Sequence, residues 1–167
     1  TEIGQGAWQM ETVSHKFHAC CHGLHAMLEA LDEINLDPKT IETIHVRTHP
    51  RWLSVCNIKA PRTGLECKFS YAQTAAMAVS GINTGDINQY TDAAALDATL
   101  VALALRVEVV GDDQLSEMQS HVTVRAAGTD HVATHDLAAP MAFETRHEKL
   151  MKKASGLVGE DKALALW

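Results

Sequence analysis

Two hydrophobic periods lying side by side constrain this chain most. From Cys21 to Ile34, the residues Leu24, Met27, Leu28, Leu31 and Ile34 recur at the spacing of one helix face. Glu29, Asp32 and Glu33 fall off that stripe and are expected on the polar side. Asn35 and Asp37-Pro38 end the helix. A few residues on, Ile41 to Thr48 (IETIHVRT) alternates with a period of two, Ile44 and Val46 on one face and His45 and Arg47 on the other. A one-sided helix followed directly by a one-sided strand calls for layers of both kinds, an α+β fold class.

The remaining pattern extends this reading. Met10 to Phe17 reads as an extended strand that hands over to the first helix. His49-Pro50 stops the strand that ends at Thr48. Arg51 to Glu66, with Pro61 and Gly64, reads as an irregular loop. Ser70 to Ser80 is Ala-rich and helical, with Gly81 as its stop. Thr91 and Asp92 offer an N-cap for a helix running to Leu103. Short strands follow around Val107–Val109 and Val122–Arg125, and a turn at Gly128-Thr129-Asp130 returns His131 to His135 antiparallel. Phe143 to Ser155 reads as a helix. The expected division is an α+β unit over residues 1–137 and a helical segment over 138–167. Leu150, Met151, Leu157, Leu164, Leu166 and Trp167 make that last segment one that wants a partner surface. The chain is therefore expected to be one lobe of a larger enzyme, inactive alone.

Charge and composition narrow the function. A formal charge of -7 argues against a duplex nucleic-acid binder. No apolar run reaches the roughly 18 residues of a membrane span, and the amino end has no signal-peptide pattern. Four cysteines, Cys20, Cys21, Cys56 and Cys67, are too few for a disulfide-built domain. Reduced thiols in a cytoplasmic protein are expected. Lys149, Lys152 and Lys153 read as a solvated helix face.

Two clusters could carry chemistry. The first runs from His15 to His25 (HKFHACCHGLH), at the entrance to a helix, where free backbone N–H groups favour an anion. Lys16 adds a full positive charge there. Cys20, Cys21, His22 and His25 could be metal ligands, but their spacing departs from structural zinc motifs. A Cys nucleophile with a His base lacks a nameable third group. Small buried thiols are the favoured reading of the cysteines, and a hydrogen-bonded, half-buried ring is the plain reading of His25. The second cluster runs from Pro61 to Tyr71 (PRTGLECKFSY), where Ser70 is either a helix N-cap or a carboxylate-binding hydroxyl.

At these clusters the chain resembles the MmgE/PrpD family. The resemblance lies in Lys16-Phe17-His18-Ala19-Cys20-Cys21 with His25, in Pro61-x-Thr63-Gly64-Leu65-Glu66-x-Lys68-Phe69-Ser70, in Ala75-Ala76-Met77-Ala78, and in Arg106-Val107 with Asp112. It implies a lid domain with a small mixed or antiparallel sheet and packed helices, followed by C-terminal helices that belong to a missing all-helical domain. It implies a reaction on a small polycarboxylate: dehydration of the 2-methylcitrate type, favoured slightly, or decarboxylation or epimerisation. The family uses no metal or organic cofactor, places its site between two domains, and forms homodimers. By motif match, His25 is the expected catalytic residue, and Lys16, Lys68 and Ser70 the expected substrate-binding residues. Gln73 stands where some members carry a tyrosine proposed as the catalytic acid. That departure leaves the reaction open and keeps a non-catalytic carboxylate-binding module as the alternative.

Overall fold

The computed structural model of the protein describes residues 14–167. In chain order the elements are α1 (His25–Asp32), β1 (Ile41–Thr48), α2 (Arg51–Val55), α3 (Gly64–Cys67), α4 (Tyr71–Val79), α5 (Asp92–Leu96), α6 (Ala98–Ala104), β2 (Val107–Gly111), β3 (Gln119–Ala126), β4 (Thr129–Asp136), α7 (Phe143–Val158) and α8 (Glu160–Leu166). A 3-10 turn, His22–Leu24, leads directly into α1. The fold is α+β, with one four-stranded mixed sheet in the order β2-β1-β3-β4. β1 pairs parallel with β2 and antiparallel with β3, and β3 pairs antiparallel with β4.

The alternation in β1 decides which way the sheet faces. Ile44 and Val46 are fully buried and pair with Val124 and Val122 of β3, while His45 and Arg47 point to solvent. One covered face and one wet face is the usual state of a largely antiparallel sheet. The covered face meets α1, the 3-10 turn before it and α4, whose Leu24, Met27, Leu28 and Met77 are at most 1% exposed. Tyr71, at the start of α4, ties these layers together. Its hydroxyl donates to the Gly23 carbonyl at 2.6 Å and lies 3.0 Å from the Thr48 hydroxyl. Tyr71→Phe leaves both partners buried and unpaired, and should cost about 1–3 kcal/mol, read as a lower urea midpoint.

Several expectations change. Arg51 to Glu66 is not one loop, because it contains α2 and α3. α3 is set by a local device too short for periodicity to register: the Thr63 hydroxyl accepts from Glu66 N, and the Glu66 carboxylate accepts from Thr63 N, a capping box. The helix expected from Thr91 to Leu103 breaks at Asp97, whose backbone is extended and whose carboxylate accepts from Thr99 N and Leu100 N at 2.9 Å. The hairpin turn sits slightly earlier than expected. Ala126 pairs with Thr129, so Ala127 and Gly128 form the loop, with φ of 48° and 77°. Of the strand expected over Met10 to Phe17, residues 14–17 run as irregular backbone and residues 10–13 lie outside the described residues.

The tail helices α7 and α8 lie against the body mainly through polar groups. No residue of α7 is buried, and Leu157, Leu164, Leu166 and Trp167 stay at least half exposed. Among the described residues, no helix is long and apolar enough to cross a membrane.

Candidate functional site

The segment before α1 is irregular, yet it is fixed at two points. Ala19 N donates to Thr84 O at 2.8 Å, and Cys21 N donates to Lys68 O at 2.9 Å. Past it, the chain passes so near Trp52 that a Cβ on Gly23 would lie 2.5 Å from the indole ring. These constraints bring three imidazoles together. The ring of His25 lies 5.2 Å from that of His18, edge-on, and 5.4 Å from that of His22.

His25 is fully buried, and neither ring nitrogen has a hydrogen-bond partner in the protein. This overturns the half-buried, hydrogen-bonded histidine expected on general grounds. Burial, then the fields of His18, His22, Lys16 and Lys153, lower its pKa to about 3. His25 is therefore neutral at pH 7, with a nitrogen lone pair uncommitted to any protein donor. Burial, and then Lys16, also lower the pKa of His22.

Below the rings lies Glu29, only 3% exposed. One carboxylate oxygen meets His18 Nε2 at 3.0 Å, and the other meets Lys149 Nζ of α7 at 2.8 Å. Burial alone would raise its pKa. The bonds from His18 and Lys149 outweigh burial and hold it at about 2. The other ring nitrogen of His18, Nδ1, lies 2.6 Å from the Thr84 hydroxyl. Lys153 of α7 donates to the carbonyls of Lys16 and, at 3.4 Å, of His18. Between α1, the 82–85 loop and α7 runs a cleft of about 750 Å³, lined in part by His18, Glu29, Thr84, Lys149 and Lys153.

Of the four expected site residues, Lys16 bears on His25 through its charge. The charge of Lys16 reaches both His22 and His25, although Lys16 sits on irregular backbone rather than on a strand. Lys68 faces elsewhere: its ammonium lies 5.5 Å from the Tyr90 ring centroid, and its carbonyl holds Cys21 N. Ser70 is fully buried, and its hydroxyl caps α4 by accepting from Gln73 N at 3.2 Å. Gln73 is buried too, and its amide donates to Ala94 O at 2.8 Å. Tyr71 is committed to Gly23 and Thr48, and burial pushes its pKa up.

The other readings of the first cluster fare differently. Among the described residues, no three His, Cys, Asp or Glu side chains come together in a way that could hold a metal ion. All four thiols are free, and Cys20, Cys56 and Cys67 are buried. Burial pushes the Cys20 thiol up to about 12 and raises that of Cys56 further, so neither has thiolate character at neutral pH.

Sequence reasoning missed His18, Glu29, Thr84, Lys149 and Lys153 as members of this network. The helical pattern puts Glu29 and the lysines on solvated faces, whereas Glu29 is buried and paired with Lys149, and Lys153 donates to the carbonyls before α1. A spacing signal was present: Glu29 follows His25 by four residues and His22 by seven, one continuous polar line along the helix. Thr84 and the lysines are 66 to 137 residues away from the histidine, carboxylate and carbonyls they hold here, so no local pattern reveals them.

A family model described as the MmgE/PrpD C-terminal domain matches residues 18–166. A search of curated proteins found no match to the chain.

Proposed function

Because the chain belongs to the MmgE/PrpD family, as its C-terminal domain, we propose that it supplies the cationic, histidine-rich half of a site for a small polycarboxylate. The family includes dehydratases and related enzymes. The reading carried here is a dehydratase of the 2-methylcitrate type, with epimerisation or decarboxylation of a similar acid as the nearest alternatives. One observation carries it above the others: a buried, neutral His25 without a protein hydrogen bond, in the field of Lys16 and Lys153.

Such a pair suits an acidic C–H beside carboxylates. Lysine charge in a partly dry cleft attracts carboxylate oxygens with less screening than in water. A neutral imidazole accepts the proton, and the acid for the leaving hydroxyl or for the opposite face is a group of the helical remainder. The helical remainder of the enzyme would close over the site, exclude water and bring further acid/base groups. A homodimer in the cytoplasm, needing no metal or organic cofactor, completes the proposal. Lys68 and Ser70 enter it as groups that support the entrance to α4, and through that the site.

A second reading, a carboxylate-binding module without catalysis, is favoured by Gln73, whose amide is buried and committed to Ala94 O. Calorimetric titration of the chain with citrate tests what both readings share. Weak, saturable binding is expected, and Lys16→Ala should weaken it tenfold or more, about 1.4 kcal/mol. Equal affinity in wild type and Lys16→Ala would sink the site as drawn. Turnover of a tricarboxylate by the full enzyme, lost in His25→Gln, separates the enzyme from the module.

A further inference from the structure

We propose that Glu29 is a positioning residue, fixing the ring of His18 so that His18 in turn sets the ring of His25. The proposal deepens the reading of His25 as the proton-handling group, and rests on it for its functional meaning.

A carboxylate buried to this degree is costly unless it is fully paired. Lys149 would satisfy the charge with one oxygen. The second oxygen is spent on His18. His18 is thereby gripped at both ring nitrogens, by Glu29 at 3.0 Å and by the Thr84 hydroxyl at 2.6 Å. With Glu29 ionised, Nε2 of His18 carries its hydrogen, and a ring held at both ends keeps one orientation.

Thr84 is itself held. Its carbonyl accepts from Ala19 N at 2.8 Å and from the Tyr90 hydroxyl at 3.0 Å. Next to it, a Cβ on Gly85 would lie 2.9 Å from the Phe17 carbonyl, so the loop runs directly against the segment that carries His18. His25 has no hydrogen bond to orient it, so packing of its ring edge-on with His18 and tilted against His22 does so. Partners one step removed from a working group fix its orientation and tautomer in just this manner. Because the oxygen of Glu29 that meets Lys149 holds α7, seating of that helix and aim of the imidazoles share one carboxylate.

Two-bond proton–nitrogen spectra of the ligand-free chain, labelled at histidine nitrogen, test the chain of contacts directly. In wild type, His18 should show a single form protonated at Nε2, with narrow His25 cross-peaks. In Glu29→Leu, His18 should lose that single form, and the His25 cross-peaks should shift or broaden, although His25 does not bond to Glu29. Glu29→Gln keeps an oxygen acceptor and should restore part of the pattern. Thr84→Val removes one hydroxyl and nothing else of size, so it decides the matter if Glu29→Leu does not fold. His25 cross-peaks unchanged in a folded Glu29→Leu or Thr84→Val chain overturn the proposal. Citrate affinity should fall roughly tenfold alongside the spectral change. Failure of wild type to bind citrate would count against the polycarboxylate reading, while the ring spectra would still decide the positioning role.

Discussion

Acidifying the chain from pH 6.5 to pH 5 lowers its unfolding free energy by about 2 kcal/mol, chiefly through His25. Its folded pKa lies near 3 against an ordinary 6.5, because burial and nearby positive charge oppose the imidazolium. The unfolded chain therefore takes up a proton that the folded chain refuses. Stability is fully present above pH 6.5 and falls as pH drops toward 3, at about 1.4 kcal/mol per pH unit while one proton separates the states. His22, also lowered, adds to the same trend. Glu29 opens a second, lower window. Its carboxyl titrates at about 2 when folded and 4.5 otherwise, so the stability it contributes is lost as pH falls from 4.5 toward 2. Urea unfolding at pH 7, 6 and 5 checks the first window. His25→Phe should flatten most of the dependence, and a wild-type chain equally stable at pH 7 and pH 5 would contradict the burial of a neutral His25.

Gly64→Ala should cost about 3 kcal/mol or more, the upper range for forcing atoms into filled space. A Cβ there would lie 2.1 Å from the Tyr90 carbonyl oxygen, 2.5 Å from its carbon and 2.9 Å from Thr91 Cα. All three are backbone atoms, so no side chain can swing aside. Relief requires moving α3 away from the start of α5, which breaks the bond from Gly64 N to the Asp92 carboxylate at 2.8 Å. The same movement disturbs Tyr90, whose hydroxyl holds Thr84. Thermal melting reads the loss. A variant that melts with wild type would mean that these two segments are not in contact.

The two patterns that are continuous in sequence, the stripe of α1 and the alternation of β1, are legible without coordinates, because each repeats over several turns or pleats. The capping box at Thr63 and Glu66 leaves no periodic trace, because α3 is only one turn long. The break at Asp97 is hidden in the sequence because its apolar neighbours on both sides fit one helical period. At the site, motif resemblance singled out Lys16 and His25, and the structure sets Lys16's charge to act on that ring. It also named Lys68 and Ser70, whose side chains prove to be occupied with Tyr90 and Gln73. Glu29 reads as surface because a lone Glu on a helix is solvated unless a distant cation meets it. That cation, Lys149, comes from 120 residues further along. Burial of a charge is a property of two segments and cannot be seen in either one.

The placement of β1 carries a consequence for how the protein is made. Its two neighbours, β2 and β3, begin at residues 107 and 119, so both of its flanks stay bare until most of the chain has left the ribosome. α1 is in the same position, since the sheet surface it covers is built largely by β3 and β4. The late hairpin of β3 and β4 is local and quick to form, and it must capture a strand that has waited through some 70 residues of synthesis. Pausing of translation before residue 119 would leave an edge of that strand free to pair with a copy of itself.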